Sequence, residues 1–291
     1  MTHSKWILMA AGLALLTACS SGDGNSAAPE KEDTEEAAAE TAGETTEQPT
    51  EENAEESTEE KTDEEEAEES AEQPEEAVSA EPLYRLNPAN AAVEPIADAN
   101  AQAVLMTIDD APDKRSVAMA ETLNELGVPA IFFVNGHFLD TDEEKENLKK
   151  IHDMGFAIGN HTYSHSNLKT IPEEQQREEI LSLSNLVEEI TGERPEFFRA
   201  PFGINTDFTK ALVEEEDMVL MNWTYGYDWE KQYMDATALA DIMVNTELLR
   251  DGANLLMHDR EWTAEALPAI VQGLSDKGYD FIDPNDIEGV Q

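Results

Sequence analysis

The sequence predicts an α/β fold, a distorted (β/α)7-type barrel whose active site lies at the carboxyl-terminal ends of the strands. Two observations carry this prediction. Within residues 83–291, seven apolar runs of strand length alternate with six segments of helical period. The unusual polar residues of this region each follow a strand-like run, where parallel α/β folds place their functional groups. An open doubly wound sheet is the alternative at this length.

The elements follow one another in a regular order. We predict strands at 103–108, 129–134, 156–159, 196–199, 218–223, 254–258 and 279–282. The predicted helices lie at 117–126, 143–154, 172–190, 207–216, 235–249 and 263–274. Gly127 and Gly192 follow the first and third helices, as expected for residues that end a helix in a left-handed conformation.

Residues 1–18 have the pattern of a secretory signal. Lys5 precedes an apolar run at 6–16, which is too short to span a bilayer comfortably, and small residues follow. The segment ends in Leu16-Thr17-Ala18-Cys19, which resembles a bacterial lipobox. This resemblance implies lipidation of Cys19 and export, with the protein anchored at the outer face of the bacterial cytoplasmic membrane. The alternative is an ordinary signal peptide with an incidental cysteine.

Residues 19–82 are expected to form an acidic, disordered linker. Between Ser20 and Pro82 there are 25 acidic and 2 basic residues and no aromatic residue, so the segment cannot bury enough apolar surface to fold. It serves either as a tether that extends the following domain away from the membrane or as a solubilising tract. Residues 83–291 form the predicted folded domain.

Composition excludes several classes of function. The net charge of -47 argues against nucleic acid as a partner, because such binding relies on Lys and Arg. A single cysteine excludes an intrachain disulfide framework and a cysteine-rich zinc module. The predicted helices show no apolar seam, so a monomer is the default.

Four residues suggest a metal-dependent reaction. Asp109 and Asp110 are adjacent, so their side chains point in different directions and serve different roles, although a helix cap and turn is the structural alternative. His161 and His165 are four residues apart in a Gly-, Asn- and Ser-containing turn, which brings two imidazoles to one side. Two His and one carboxylate leave coordination positions open for water and substrate.

Five ordered motifs identify a family resemblance. They are Thr107-Ile108-Asp109-Asp110, His161-Thr162-Tyr163-Ser164-His165, Arg199-Ala200-Pro201-Phe202, Asp228-Trp229 and Leu256-Met257-His258. In order and spacing they resemble the polysaccharide deacetylases, carbohydrate esterase family 4, with the nodulation-type (NodB) homology domain. The resemblance covers about residues 101–283.

The resemblance implies roles for individual residues. Asp110, His161 and His165 would bind one divalent metal, zinc first, with cobalt or another transition ion as the alternative. Asp109 would be the general base, paired with Arg199, and His258 would be the general acid, paired with Asp228. The backbone N–H of Phe202 would stabilise the oxyanion. The residues implied to line the oxyanion and substrate site are Phe202, Pro201, Trp229, Leu256 and Tyr227.

This chain departs from the usual motifs at three places. Ile108 and Ala111-Pro112 flank the aspartates where Phe and Gly are common, and Phe202 stands where Tyr is common. Tyr225-Gly226-Tyr227 precedes Asp228 where the family often has a further acidic residue, so the environment of Arg199 is expected to differ.

The implied function is metal-dependent removal of N-acetyl groups from a GlcNAc-containing polysaccharide, with peptidoglycan as the expected substrate. Alternatives with the same chemistry are chitin oligomers, an exopolysaccharide and O-acetylated xylan. An alternative of a different class is a non-catalytic wall-binding lipoprotein that keeps the deacetylase fold.

Overall fold

The computed structural model describes residues 81–290. The predictions for the signal segment 1–18, for Cys19 and for the acidic segment up to residue 80 lie outside the described residues. Within residues 81–290, no helix is both long and apolar enough to cross a membrane.

Strands and helices alternate along the described chain. The strands are β1 (Tyr84–Leu86), β2 (Val93–Pro95), β3 (Ala103–Ala111), β4 (Ile131–Val134), β5 (Ala157–Asn160), β6 (Phe197–Phe198), β7 (Val219–Leu220), β8 (Ala253–His258) and β9 (Asp280–Phe281). The helices are α1 (Ser116–Leu126), α2 (Asp142–Asp153), α3 (Glu173–Thr191), α4 (Asp207–Glu215), α5 (Ala236–Asn245) and α6 (Glu261–Asp276).

Strands β3 to β9 form one parallel sheet, in which the order is β7-β6-β5-β4-β3-β8 and β9 pairs with the start of β3. The sheet curls into a half-barrel. An isolated parallel bridge between Tyr225 and Leu255 brings the segment after β7 against β8. The predicted (β/α)-barrel fold is therefore confirmed, and the open doubly wound sheet is not the observed arrangement.

Alternating residues of the strands pack on opposite faces of this sheet. Val104, Met106 and Ile108 of β3 contact the helices on the outer face. Leu105 of β3 belongs to a separate inner cluster together with Phe133. Because both faces of the sheet are buried, its strands consist of nearly continuous apolar runs.

The end of β3 departs from regular strand geometry. The register with β4 shifts between Ile108 and Ala111, and Asp110 has a left-handed φ of 61°. Such an irregularity changes the direction of the side chains beside it. It allows the carboxylates of Asp109 and Asp110 to reach different partners, as the sequence predicted for adjacent residues with different roles.

Three local features differ from the sequence prediction. The β1–β2 hairpin was not expected, because three-residue strands are too short to show an alternating pattern. The strand predicted at 218–223 pairs only at Val219–Leu220, since the chain then crosses from β6 toward β8. Helix α5 ends at Asn245, where the Thr246 hydroxyl accepts the backbone N–H of Leu248 and an extended turn begins.

Candidate metal and catalytic site

The candidate site lies where the carboxyl ends of neighbouring strands meet. Asp109 of β3 is in register with His258, the last residue of β8. The loop after β5 supplies His161 and His165, and Arg199 directly follows β6. The curled parallel sheet therefore brings together residues that are up to 149 positions apart in the sequence.

Asp110, His161 and His165 form a cluster that could hold a metal ion. One ligand atom from each residue lies within 4.8 Å of the others. Asp110 Oδ1 is 4.0 Å from His161 Nε2 and 3.6 Å from His165 Nε2. Two imidazole nitrogens and one carboxylate oxygen are a donor set suited to zinc and related divalent ions.

Both imidazoles present a nitrogen lone pair at neutral pH. His161 Nδ1 lies 2.7 Å from the backbone oxygen of Arg199, which can only accept, so His161 donates there and Nε2 carries the lone pair. Burial lowers the pKa of His161 despite the nearby Asp109 and Asp110. Burial likewise lowers the pKa of His165. The two side chains are therefore in the neutral form that a cation requires.

The Asp109 carboxylate is buried beside this cluster. Its Oδ2 lies 3.5 Å from His161 Nε2, and its Oδ1 accepts a 2.6 Å hydrogen bond from Arg199 Nη1. The Arg199 guanidinium is fully buried and lies 4.1 Å from the centre of the Phe133 ring. This arrangement fixes one oxygen of Asp109 and leaves the other directed toward the metal-binding cluster.

His258 and Asp228 form the other side of the site. His258 Nδ1 is 2.7 Å from Asp228 Oδ1, and the backbone N–H of His258 donates to Asp228 Oδ2. Thr263 Oγ1 also donates to Asp228 Oδ2, at 2.8 Å. Burial tends to lower the pKa of His258, but the hydrogen bond and charge of Asp228, together with the charges of Asp109 and Asp110, outweigh burial and raise that pKa. His258 is thus held by a carboxylate in a form that can donate a proton.

Comparison with known proteins agrees with this geometry. Residues 97–221 match the polysaccharide deacetylase family. A peptidoglycan-N-acetylglucosamine deacetylase from Bacillus cereus is 30% identical over 185 residues, which cover 60% of this chain and 67% of that protein. The chain belongs to the polysaccharide deacetylase family.

Solved structures of carbohydrate esterase family 4 share the fold. One is a peptidoglycan N-acetylglucosamine deacetylase in complex with an N-hydroxybenzamide derivative, with a TM-score of 0.58 and 26% identity, covering 64% of this chain and 87% of that one. Another is a family 4 pseudoenzyme from Bacillus anthracis, with a TM-score of 0.58 and 26% identity, covering 64% of this chain and 65% of that one. The similarity therefore includes both a deacetylase and a pseudoenzyme.

At the departure before Asp228, the partners of Arg199 other than Asp109 are neutral. Arg199 Nη1 donates to Thr107 Oγ1, and Nη2 donates to the backbone oxygen of Asn222 and to Asn254 Oδ1. Tyr225, which occupies the altered motif, is buried and donates its hydroxyl to the backbone oxygen of Met243. Within residues 81–290, Asp109 is thus the single carboxylate that pairs with Arg199.

Two of the predicted substrate residues present exposed rings at this site. Phe202, at a left-handed φ of 60°, is 62% exposed and lies edge-on to the His165 ring at 4.9 Å. Trp229 is 45% exposed and lies edge-on to His258 at 5.4 Å. Both rings therefore flank the metal-binding cluster and the candidate acid, where a sugar ring could contact them.

The other predicted substrate residues are placed differently. Pro201 is buried at the start of a short 3-10 turn, and Leu256 is buried in β8. Tyr227 packs against Tyr233, and its hydroxyl is 2.6 Å from Thr246 Oγ1. The contacts of Tyr227 are those of a packing residue, and its role in substrate binding stays a prediction.

Sequence reasoning did not identify Asp259 and Arg260, which directly follow His258. The Asp259 carboxylate accepts hydrogen bonds from the backbone N–H groups at the start of α1, including that of Ser116. This is the capping role that the sequence offered as the structural alternative for Asp109 and Asp110. Arg260 Nη2 donates to Asp110 Oδ2 at 2.7 Å. The sequence feature that could have identified them is the charged pair Asp259-Arg260 directly after a mainly apolar predicted strand.

Proposed function

We propose that this protein is a metal-dependent deacetylase that hydrolyses N-acetyl groups of a GlcNAc-containing polysaccharide, with peptidoglycan as its substrate. The observation that carries the proposal is that the candidate metal ligands, the candidate base and the candidate acid are all present and close together. The ligand atoms of Asp110, His161 and His165 converge, the buried Asp109 Oδ2 lies 3.5 Å from His161 Nε2, and His258 pairs in register with Asp109. Family membership and the similarity to peptidoglycan deacetylases support the substrate class.

The residues of the cluster fit a divalent cation, zinc or alternatively cobalt. Asp110 Oδ1 and the Nε2 atoms of His161 and His165 would hold it, because both imidazoles are neutral and converge with a carboxylate. Such a cation supplies a Lewis acid that polarises the amide carbonyl and acidifies water.

The remaining steps fall to the side chains of the chain itself. Asp109 accepts the proton of the attacking water through the oxygen that Arg199 does not hold. The backbone N–H of Phe202 donates to the oxyanion that forms on the former carbonyl oxygen. His258, protonated and held by Asp228, gives its proton to the departing amine nitrogen, so that acetate and a free amine result.

The test of this proposal combines metal content with acetate release. The purified protein is analysed for bound metal and assayed with peptidoglycan, N-acetylglucosamine oligomers and O-acetylated xylan, before and after chelation. We expect release from peptidoglycan that is lost on chelation and restored by zinc or cobalt. Release from xylan or chitin oligomers alone would contradict the assigned substrate.

The variant Asp109→Asn tests the catalytic assignment separately from metal binding. Because Asp109 is the proposed base and not one of the three ligand residues, we expect acetate release to fall by about 10²- to 10⁴-fold with the metal content retained. His165→Ala is the matched comparison, since it should reduce the metal content itself. Unchanged release by Asp109→Asn from every N-acetylated glycan would contradict the mechanism.

A second candidate function is a non-catalytic wall-binding lipoprotein. The observation in its favour is the structural similarity to a family 4 pseudoenzyme, which shares this fold. Against it stands the presence of every implied ligand, base and acid residue, namely Asp110, His161, His165, Asp109 and His258. Sedimentation with isolated cell walls, without acetate release from any glycan at any metal loading, would support this second candidate.

We also propose that the protein is exported and held at the outer face of the bacterial cytoplasmic membrane by lipid on Cys19. The support is the sequence Leu16-Thr17-Ala18-Cys19 and the acidic segment that follows it. Metabolic labelling with an alkyne fatty acid, followed by membrane fractionation, tests this on the full chain. Cys19→Ser should lose both the label and the membrane association, and equal labelling of the two proteins would contradict the proposal.

A further inference from the structure

Arg260 contacts the carboxylate of the metal-binding cluster, although it belongs to none of the five motifs. Its Nη2 donates to Asp110 Oδ2 at 2.7 Å, and its Nη1 donates to the backbone oxygen of Asp259. The Arg260 side chain is 37% exposed and that of Asp110 is 15% exposed. The contact is thus a charge-assisted hydrogen bond that is partly shielded from water.

The two oxygens of Asp110 consequently face different partners. Oδ2 is held by Arg260, whereas Oδ1 faces the Nε2 atoms of His161 and His165 at 4.0 and 3.6 Å. Arg260 is itself fixed at two points, because its other terminal nitrogen donates to a backbone oxygen at the end of β8. Only one oxygen of Asp110 remains available to a cation that also contacts the two imidazoles.

We propose that Arg260 is a positioning residue that restricts Asp110 to a single oxygen ligand and keeps the affinity of the site for its cation moderate. The inference rests on the metal-dependent function proposed above. With one oxygen from Asp110 and one nitrogen from each His, three ligands leave positions open for water and for the amide oxygen of the substrate. A carboxylate bound through both oxygens would occupy one of these positions.

Electrostatics determines the expected direction of the effect. Arg260 places a positive charge beside a carboxylate that would bind a dication, so it opposes binding of that dication. The other charged or titratable groups near Asp110 are Asp109, His161, His165 and His258, and they are unchanged when Arg260 is replaced. Removing Arg260 should therefore strengthen cation binding and free the second oxygen of Asp110.

Helix α6 offers no competing reason for an arginine at this position. Arg260 is the residue that precedes α6, and its side chain makes no capping hydrogen bond to that helix. Arg260→Gln should therefore fold normally, and thermal unfolding of the variant checks this. Arg115→Gln is the matched control, since Arg115 has a similarly exposed guanidinium that pairs with Glu261 and not with Asp110.

The experiment measures cation affinity and coordination in the full chain without substrate. Co²⁺ and Zn²⁺ are titrated in competition with a chromophoric chelator, and the visible absorption of the Co²⁺ form reports the number of ligands. For Arg260→Gln we expect about tenfold tighter binding, because a positive charge beside the dication is removed, and a weaker visible band as the ligand number rises. Arg260→Lys, which keeps the charge, should bind more like the original protein, and Arg115→Gln should match it.

The outcomes separate this inference from the proposed function. If the original protein binds neither cation, the metal-dependent function itself fails. If it binds them and Arg260→Gln shows the same affinity and the same Co²⁺ spectrum, the inference about Arg260 is overturned while the function stands. Weaker binding by Arg260→Gln, or a raised KM for an anionic glycan with unaltered cation affinity, would likewise overturn it.

Discussion

Arg199 and Asp109 form a buried ion pair at the centre of the site, with Nη1 and Oδ1 separated by 2.6 Å. Both side chains are at most 3% exposed, so neither charge is solvated by bulk water. A buried pair of this kind contributes little net stability, but the loss of one partner leaves an uncompensated charge. The pair therefore couples the orientation of the proposed base to the stability of the barrel interior.

Replacement of Arg199 by Met should destabilise the protein strongly. The expected loss is about 3–5 kcal/mol of unfolding free energy, because Asp109 then remains buried without its cation. Urea unfolding followed by tryptophan fluorescence measures this. The double variant Asp109→Asn/Arg199→Met should be more stable than Arg199→Met alone, since it removes the orphaned charge. Equal stability of the single and double variants would show that the two side chains are not coupled.

Much of the fold could be predicted because its strands are buried on both faces and read as apolar runs between helical segments. The positions of the motif residues could also be predicted, since Asp109, His161 and His258 each stand at the end of such a run. The hairpin of β1 and β2 could not be predicted from the sequence, because its strands have only three residues each. Local sequence pattern thus reveals elements only where they are long enough to show a period.

Contacts between strands depend on register, which the sequence does not show. The approach of Arg260 to Asp110 requires that β8 pair with β3 so that His258 lies opposite Asp109. Asp228 can approach His258 only because the chain before it passes very close to β8 at Gly226. A side chain at Gly226 would come within 2.4 Å of the backbone oxygen of Leu256, so only glycine fits.

Replacement of Asp259 by Asn should destabilise the connection between β8 and α1. The Asp259 carboxylate accepts three backbone N–H groups and the Ser116 hydroxyl, and an amide cannot accept all four. We expect a loss of about 2–3 kcal/mol in urea unfolding. Asp235→Asn is the control, since Asp235 caps α5 with its side chain and Asn caps equally well. Similar losses for both variants would contradict a special role for Asp259.

Replacement of Trp229 by Ala should weaken substrate binding more than turnover. Trp229 presents a 45% exposed ring beside His258, where a pyranose ring could stack. Loss of one aromatic contact should raise KM for N-acetylglucosamine oligomers by about 3- to 10-fold, with a smaller change in kcat. Met234→Ala is the control, because Met234 is 46% exposed but belongs to no motif. An equal rise in KM for Met234→Ala would mean that general loss of apolar surface explains the effect.

Replacement of Asp228 by Asn should shift the pH dependence of kcat/KM. Burial lowers the pKa of His258, but the hydrogen bond and charge of Asp228, with smaller contributions from Asp109 and Asp110, outweigh burial and raise it, so the proposed acid stays protonated to higher pH. Activity falls as the pH rises through that pKa, and Asn removes the stabilising charge. The basic limb should therefore move by about one pH unit to lower pH, with the acidic limb little changed. Glu193→Gln is the control, because it removes a carboxylate from His152 far from the site and should leave the profile unaltered. A basic limb that stays in place in Asp228→Asn would show that His258 is not the group whose deprotonation limits the reaction.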